Sequence, residues 1–407
     1  MPSRRRFLQS VGATSVAGIA SVAGCSGYVG GLRPADRHVP LGYQPRENTW
    51  PMPRYGPRQT GVSPDATPPR NGVTEVWSQQ LYEFSRAVVD QKTVYHTGQT
   101  SDEVIARARE DGSEQWRANA PTDDLHLIRG RLYASTEETV VALDAESGER
   151  QWQATVPGGG RQPDVLEAAG VVIVTAGDHV VGLHADTGTK LWSMPDGDDG
   201  SSPARAALSP RGLVVAWESE LAVYDIERAR PPFAEPPRRV RTRSYSTRRP
   251  SYPAVGKQAT WIGGMRGIIE HGMISLIAST SDSYRYGWVS GHDGWVSANP
   301  LGDGAALVSE YEPEQETASG RLAHVTLDGE TRWERRFDRD IYTVVVGGDV
   351  AFVQTVPKSG PERLLALDVA SGETRWTSET PEFDVIAPVG DHLVVATEDR
   401  LLYLGPA

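Results

Sequence analysis

Hydrophobic residues in this chain fall in short runs and never in helix-length stripes. Thr139 to Leu143, His179 to Leu183 and Arg363 to Leu367 are apolar runs of strand length, and runs of that length bounded by turn signals predict buried β-strands. Further β-rich runs stand at Val171 to Val174, Leu213 to Trp217, Val344 to Val346 and Leu393 to Ala396, each beside a Gly-rich or Asp-containing turn. Several runs are followed by Asp-x-x-Ser/Thr-Gly and then by a segment ending in Trp. The Gly of such a segment takes a positive φ at little cost, and the Asp or Ser oxygen accepts from nearby amides, so a tight turn between two strands is predicted. The chain is read as all-β.

Aligned on tryptophan, the pattern becomes a repeat with a period near forty residues. Ala142 to Trp152 (ALDAESGERQW) recurs as Ala366 to Trp376 (ALDVASGETRW), and weaker copies run from Ala106 to Trp116, Gly182 to Trp192 and Ala323 to Trp333. All five keep Gly four residues before Trp, as Gly112, Gly148, Gly188, Gly329 and Gly372, and a small residue ten before it. Such a period marks repeat architectures whose units bury their faces only against one another. The motif resembles the tryptophan-docking repeat of pyrroloquinoline-quinone (PQQ) proteins. That resemblance implies a β-propeller of four-stranded blades over residues 71–407. It also implies that Trp116, Trp152, Trp192, Trp333 and Trp376 are structural staples, each docking on the neighbouring blade over a turn Gly, with the small residue leaving room for the ring. Blade counting gives about eight, with seven as the alternative. Unmarked blades are expected to end near Phe233 and around Trp288 to Trp295. The motif end at Trp77 lacks a preceding strand and Leu401 to Leu404 lacks a following motif; pairing the two would close the ring and remove both free edges.

Residues 1–24 are read as an address rather than as fold. Ser3 to Gln9 (SRRRFLQ) resembles the twin-arginine export signal, through Arg4, Arg5, Phe7 and Leu8, with Gln9 in place of the usual Lys. The small-residue apolar run from Val11 to Gly24 is too short for a stable membrane span, and Ser21 to Cys25 (SVAGC) resembles a lipobox. The resemblance implies a diacylglyceryl thioether on Cys25, sufficient to hold a folded domain on a membrane, after export in the folded state to the outer face of the cytoplasmic membrane. Residues 25–70 read as a Gly/Pro-rich tether. Within them Trp50 to Gly61 is similar to the lead-in of PQQ-repeat propellers, either packed on the propeller or floating beside it.

Charge narrows the partners. The net charge is −12, which argues against nucleic acid or anionic lipid as a general partner. Lys occurs only at Lys92, Lys190, Lys257 and Lys358, and an acidic, Arg-rich, Lys-poor chain resembles haloarchaeal and other salt-adapted proteins. Cys25 is the only cysteine, so no intrachain disulfide, Cys-based metal site or CxxCH haem attachment can form.

Candidate chemistry is sparse. PQQ-repeat propellers include dehydrogenases that use PQQ and Ca2+, many with a vicinal Cys-Cys disulfide that this chain cannot form. The nine His residues show no metal-ligand spacing, and Asp196 to Gly200 (DGDDG) fails the register of a calcium loop. No catalytic residue, metal site or resident cofactor is assigned. One segment is unusual: residues 231–253 concentrate Arg238, Arg239, Arg241, Arg243, Arg248 and Arg249 among prolines and tyrosines. It is read as an insertion between degenerate blades, either a solvated loop or a docking loop for an acidic partner, glycan or lipid headgroup. The expected function is a membrane-anchored, non-catalytic scaffold that meets envelope proteins. The alternative is a PQQ- and Ca-dependent quinoprotein oxidoreductase.

Overall fold

The computed structural model describes residues 43–407 apart from 82–85, 98–101, 158–162, 177–178, 195–202, 211, 218–219, 245–248, 251, 257–258, 263, 266–272, 279–283, 290–294, 312–319, 328–329, 358 and 381–382. The described residues contain no helix. Their strands build a propeller of antiparallel blades. Seven blades are sheets of four strands, and an eighth four-stranded blade is widened to five by a short parallel strand, Val62–Ser63.

From the centre outward, blade 1 runs from Ala87–Val89 to Glu114–Asn119 and blade 2 from Asp124–Ile128 to Arg150–Thr155. Blade 3 runs from Asp164–Ala168 to Lys190–Met194 and blade 4 from Pro203–Ser209 to Arg238–Ser244. Blade 5 runs from Ala254–Val255 to Tyr284–Val289, blade 6 from Trp295–Pro300 to Thr331–Phe337, and blade 7 from Asp340–Gly347 to Thr374–Thr380. Blade 8 takes three strands from the C-terminus, Phe383–Val389, His392–Thr397 and Arg400–Pro406. Its outermost strand is Val73–Gln80 from the other end of the chain. The two ends therefore pair and close the ring, as the strand pattern predicts. The first strands of successive blades neighbour one another around the centre, and the first strands of blades 8 and 1 meet.

The burial pattern follows from this stacking. A blade is covered on both faces, so its inner strands read as continuous apolar runs: Val171–Ala176 is buried at every position. Outer strands alternate, as in Arg150–Thr155, where Trp152 is buried between exposed neighbours. Each hydrophobic cluster lies in a seam between blades, such as Leu125, Leu143 and Val104 between blades 1 and 2, and Val165, Val181 and Tyr133 between blades 2 and 3.

Three local expectations are corrected. Phe233 does not end a blade: it lies 55 % exposed in the long connection between the third and fourth strands of blade 4. The Arg-rich segment is not a loop insertion, because Arg238–Ser244 is the fourth strand of blade 4, paired from Asp225↔Arg238 to Glu220↔Ser244. Ala323 is not the residue opposite Trp333: the turn of blade 6 is shorter, so His324 faces Trp333 instead, with the rings edge-on at 6.0 Å.

Candidate functional site

Every outer strand carries the same one-residue bulge just before the docking position. It leaves Trp116, Trp152, Trp192, Trp288, Trp333, Trp376 and Trp77 at that position in seven blades and Arg241 in blade 4. A bulge re-aims a side chain at a strand edge, and here it turns the indole toward the next blade. The indole N–H of Trp116 donates to Ala145 O (3.1 Å), of Trp152 to Ala185 O (2.8 Å), and of Trp192 to Ala229 O (2.7 Å). Trp333 donates to Val369 O (3.0 Å) and Trp77 to Arg109 O (2.8 Å). Under four of these rings lies a turn glycine of the next blade. Gly148 has φ 73°, and a Cβ there would stand 2.6 Å from Trp116 Cε3. Gly112, Gly188 and Gly372 meet Trp77, Trp152 and Trp333 in the same way. Gly329 lies outside the described residues. Trp376 differs: blade 8 has no turn at this place because its last two strands come from opposite chain ends. The indole instead donates to Pro69 O of the lead-in, at 3.0 Å.

The lead-in makes a full circuit of the channel. Trp50 exchanges two 2.8 Å backbone bonds with Val89 of blade 1, and Leu127 N of blade 2 donates to Pro51 O (2.7 Å). Met52 is buried in the seam of blades 2 and 3. Leu208 N of blade 4 donates to Pro57 O, Val255 N of blade 5 to Arg58 O, and Val346 N of blade 7 to Gly61 O, at 2.7 to 2.9 Å. In blade 6, Asn299 Nδ2 donates to Thr60 O (3.0 Å), and Thr67 N donates to Gly390 O of blade 8 (2.8 Å). First strands present an unpaired inner edge to the channel, and these bonds occupy its last turns. The lead-in is thus packed on the propeller, lining the end of the channel where the first strands finish.

Charged side chains cluster inside, near where the first strands begin. Arg54 reaches in from the lead-in, donating to Ser297 Oγ (3.2 Å), Ala298 O (2.9 Å) and Gln59 O (3.0 Å). Burial pulls its guanidinium down to about 10. The Tyr252 ring lies near two guanidinium groups, Arg205 at 4.7 Å and Arg54 at 5.4 Å. Arg205 lies 3.9 Å from Asp164, which also accepts from Ala206 N (3.3 Å). Arg86 and Asp384 pair at 3.6 Å across blades 1 and 8. Desolvation raises Asp124 to about 6 against the pull of Arg86, and raises Asp164 against the pull of Arg205. His126, fully buried and held near 4 by burial, receives Val165 N on Nε2 at 3.5 Å. Two guanidinium–carboxylate pairs, Arg205 with Asp164 and Arg86 with Asp384, thus stand beside an Arg54 whose donors go to a hydroxyl and two carbonyls.

Among the described residues no three His, Cys, Asp or Glu side chains converge as a metal site. Arg54 and Tyr252 stand in the middle of the cluster, beside the Arg205–Asp164 and Arg86–Asp384 pairs.

The other predicted residues divide cleanly. Arg238 is exposed, while Arg239 is drawn back to Glu220 and the Tyr224 hydroxyl within blade 4. Arg241 occupies the docking position, and Arg249 lies in a two-residue strand paired with Gly264–Met265. Arg248, Asp196 to Gly200, Cys25, Arg4, Arg5, Phe7 and Leu8 lie outside the described residues. Sequence reading missed the interior cluster of Arg54, Asp124, Asp164, Arg205 and Tyr252. Its one available signal is an Asp at the head of several first strands: Asp124, Asp164, Asp340 and, one residue in, Asp384.

Comparison with solved structures places the fold among known propellers. The chain resembles a quinohemoprotein alcohol dehydrogenase from Comamonas testosteroni at a TM-score of 0.64 and 12 % identity, over 88 % of this chain and 81 % of that one. It resembles quinohemoprotein alcohol dehydrogenase ADHIIG from Pseudomonas putida HK5 at 0.60 and 13 %, over 88 % and 80 %. It resembles BamB from Moraxella catarrhalis at 0.59 and 15 %, over 82 % and 100 %. No curated protein matches in sequence. The family described as outer membrane protein assembly factor BamB matches residues 101–230 and 284–405. Those segments carry the docking repeats on either side of the Arg-rich strand and cover more than half of the sequence, so the chain belongs to that family.

Proposed function

We propose that this propeller is a non-catalytic scaffold, held on the outer face of the cytoplasmic membrane by a lipid on Cys25, that brings envelope proteins together. The observation carrying the reading is the channel: one end is lined by the lead-in, which bonds to blade after blade around it, and charged side chains at the centre include the Arg205–Asp164 and Arg86–Asp384 pairs. The family's description as an assembly factor points the same way. A net charge of −12 disfavours nucleic acid as partner, and neither PQQ nor a metal is assigned as cofactor.

The decisive experiment is reconstitution. Protein incubated with PQQ and Ca2+ should show no bound-quinone absorbance and no dye-linked oxidation of alcohols or aldoses; turnover of any such substrate overturns the reading. The anchor is tested separately. Cys25→Ser should move the folded protein from the membrane to the soluble fraction without detergent, and retention on the membrane removes the lipid from the account.

A further inference from the structure

The lead-in, blade 1 and blade 8 meet around one side chain. Arg109, in the turn after the third strand of blade 1, spends every N–H of its guanidinium within the protein. Nη1 donates to Asn48 O of the lead-in (2.9 Å) and to Asp90 O and Gln91 O of blade 1 (3.1 Å each). Nη2 donates to Val389 O (3.4 Å) and to the Tyr403 hydroxyl (3.1 Å) of blade 8, and Nε donates to the same hydroxyl (3.2 Å). Thr67 N, donating to Gly390 O at 2.8 Å, ties the lead-in to blade 8 at the same place. Separate stretches of chain are thus held in fixed relation, as the frame of a recognition site must be.

Between these stretches lies a cleft of about 370 Å³ lined by Asn48, Thr67, Gln91, Arg109, Gly390 and Asp391. It opens at the end where the first strands finish, opposite the interior charged cluster. Its size is at the lower end of small-molecule sites, about 300–1,000 Å³, but its lining is polar where most such sites are apolar. Much of that polarity is unspent. Among the described residues the Asn48 side-chain amide, the Thr67 hydroxyl, Gln91 Oε1 and Asp391 Oδ2 make no hydrogen bond. Gln91 Nε2 donates to Glu47 O (3.3 Å), and Asp391 Oδ1 meets His392 Nδ1 at 2.6 Å. Gly390 keeps the space open: its φ is 62°, and a Cβ there would come 3.0 Å from Asn48 Oδ1.

The charges select the ligand. Asp391 repels an anion, and Arg109 has no N–H left to bind one. A cation would meet the Arg109 guanidinium in the wall. What remains complementary is a neutral molecule that both donates and accepts, and a hydroxyl does both. We propose that the cleft holds a neutral sugar, one glycosyl unit, free or at the end of a glycan. Its hydroxyls donate to Asp391 Oδ2 and Gln91 Oε1 and accept from the Asn48 amide and the Thr67 hydroxyl. No aromatic ring lines the cleft among the described residues, so affinity rests on hydrogen bonds, and a neutral ligand binds without screening by salt. The site is independent of the scaffold reading.

The test is saturation-transfer NMR on the full chain with the methyl glycosides of glucose, galactose and mannose, and with putrescine and sulfate as charged probes. At least one glycoside should bind, equally in low and in molar salt. Amide exchange should then slow around Asn48, Thr67, Gln91 and Gly390 and nowhere else. Thr67→Val with Asp391→Ala should weaken binding by about tenfold or more. Both side chains are exposed, so the unfolding midpoint should stay at the wild-type value. Should the double variant fail to fold, Thr67→Val alone decides, with an expected loss of about threefold or more. Binding of none of the glycosides overturns the proposal, as does equal binding by the folded variant. Putrescine or sulfate protecting these segments in place of the glycosides overturns it too. Matching disaccharides separate the sources: binding of both forms identifies a glycan end, and binding of the methyl glycoside alone identifies the free sugar. Either result sustains the site, and none of these outcomes bears on the scaffold reading.

Discussion

A tryptophan at a blade seam contributes two things at once, apolar area and a buried donor that must find an acceptor. Trp152 is 7 % exposed, donates to Ala185 O and covers Gly188. Trp152→Ala should therefore cost about 3–5 kcal/mol, read as a lower denaturant midpoint in high salt, and an unchanged midpoint would show that the indole is dispensable. Burial also shapes the acid response. His96 is held neutral, near 4 against an ordinary 6.5, mainly by desolvation, and its Nε2 accepts from Arg107 Nε at 3.0 Å. Between pH 6.5 and 4 the unfolded imidazole binds a proton that the folded one refuses. The stability His96 contributes is therefore complete above 6.5 and declines as pH falls toward 4. His126 acts in the same direction. Asp124, raised from 3.8 to about 6, acts oppositely: its folded form takes up a proton first, which favours the folded state as pH falls from 6 to 3.8. His96→Gln should flatten the acid limb by about one proton, or about 1.4 kcal/mol per pH unit. An unaltered slope in stability measurements across that window would contradict the assignment.

Turns carry their signature in a few adjacent residues. Asp144 Oδ1 accepts from Glu146 N, Ser147 N and Ser147 Oγ, so the repeat, and with it the blades, could be read directly from the sequence. The circuit of the lead-in could not. Its partners are backbone groups of six blades and one Asn side chain, and a carbonyl such as Pro51 O looks alike in every sequence. The strand Arg238–Ser244 was equally hidden, because Pro236-Pro237 and dense charge signal a loop. An outer strand tolerates both, since one edge and much of its surface face water. The same logic predicts where the lead-in is vulnerable. Asn299 is 1 % exposed and donates to Thr60 O and Val344 O at 3.0 and 3.1 Å. Asn299→Ala leaves two carbonyls without that donor and should destabilise by about 1–3 kcal/mol. Faster amide exchange should appear at the Val346–Gly61 bond, and exchange that stays at the wild-type rate there would uncouple the lead-in from blade 6.

At the scale of the whole molecule the ring depends on one pairing between chain ends. Val73–Gln80 meets Arg400–Pro406 from Val73↔Pro406 to Gln80↔Arg400. Trp77 stacks on Tyr403 at 5.2 Å, and Tyr403 stacks on His392 at 4.7 Å. The Tyr403 hydroxyl accepts from Arg109 of blade 1, whose carbonyl takes the Trp77 indole. Closure thus links blades 8 and 1 through a single residue stack. Contacts of such sequence separation form only after long loops close, so they add cooperativity late. A chain truncated after Arg400 loses the third strand of blade 8 and with it the partner of Val73–Gln80. Two open edges and the apolar faces of Leu393, Val395 and Leu81 then meet water. That truncation should abolish the single cooperative unfolding transition and yield aggregates by size exclusion. Removal of Pro406 and Ala407 alone, both exposed, should leave the midpoint nearly unchanged. A monomer truncated after Arg400 that unfolds at the wild-type midpoint would mean that the blades hold one another without closure.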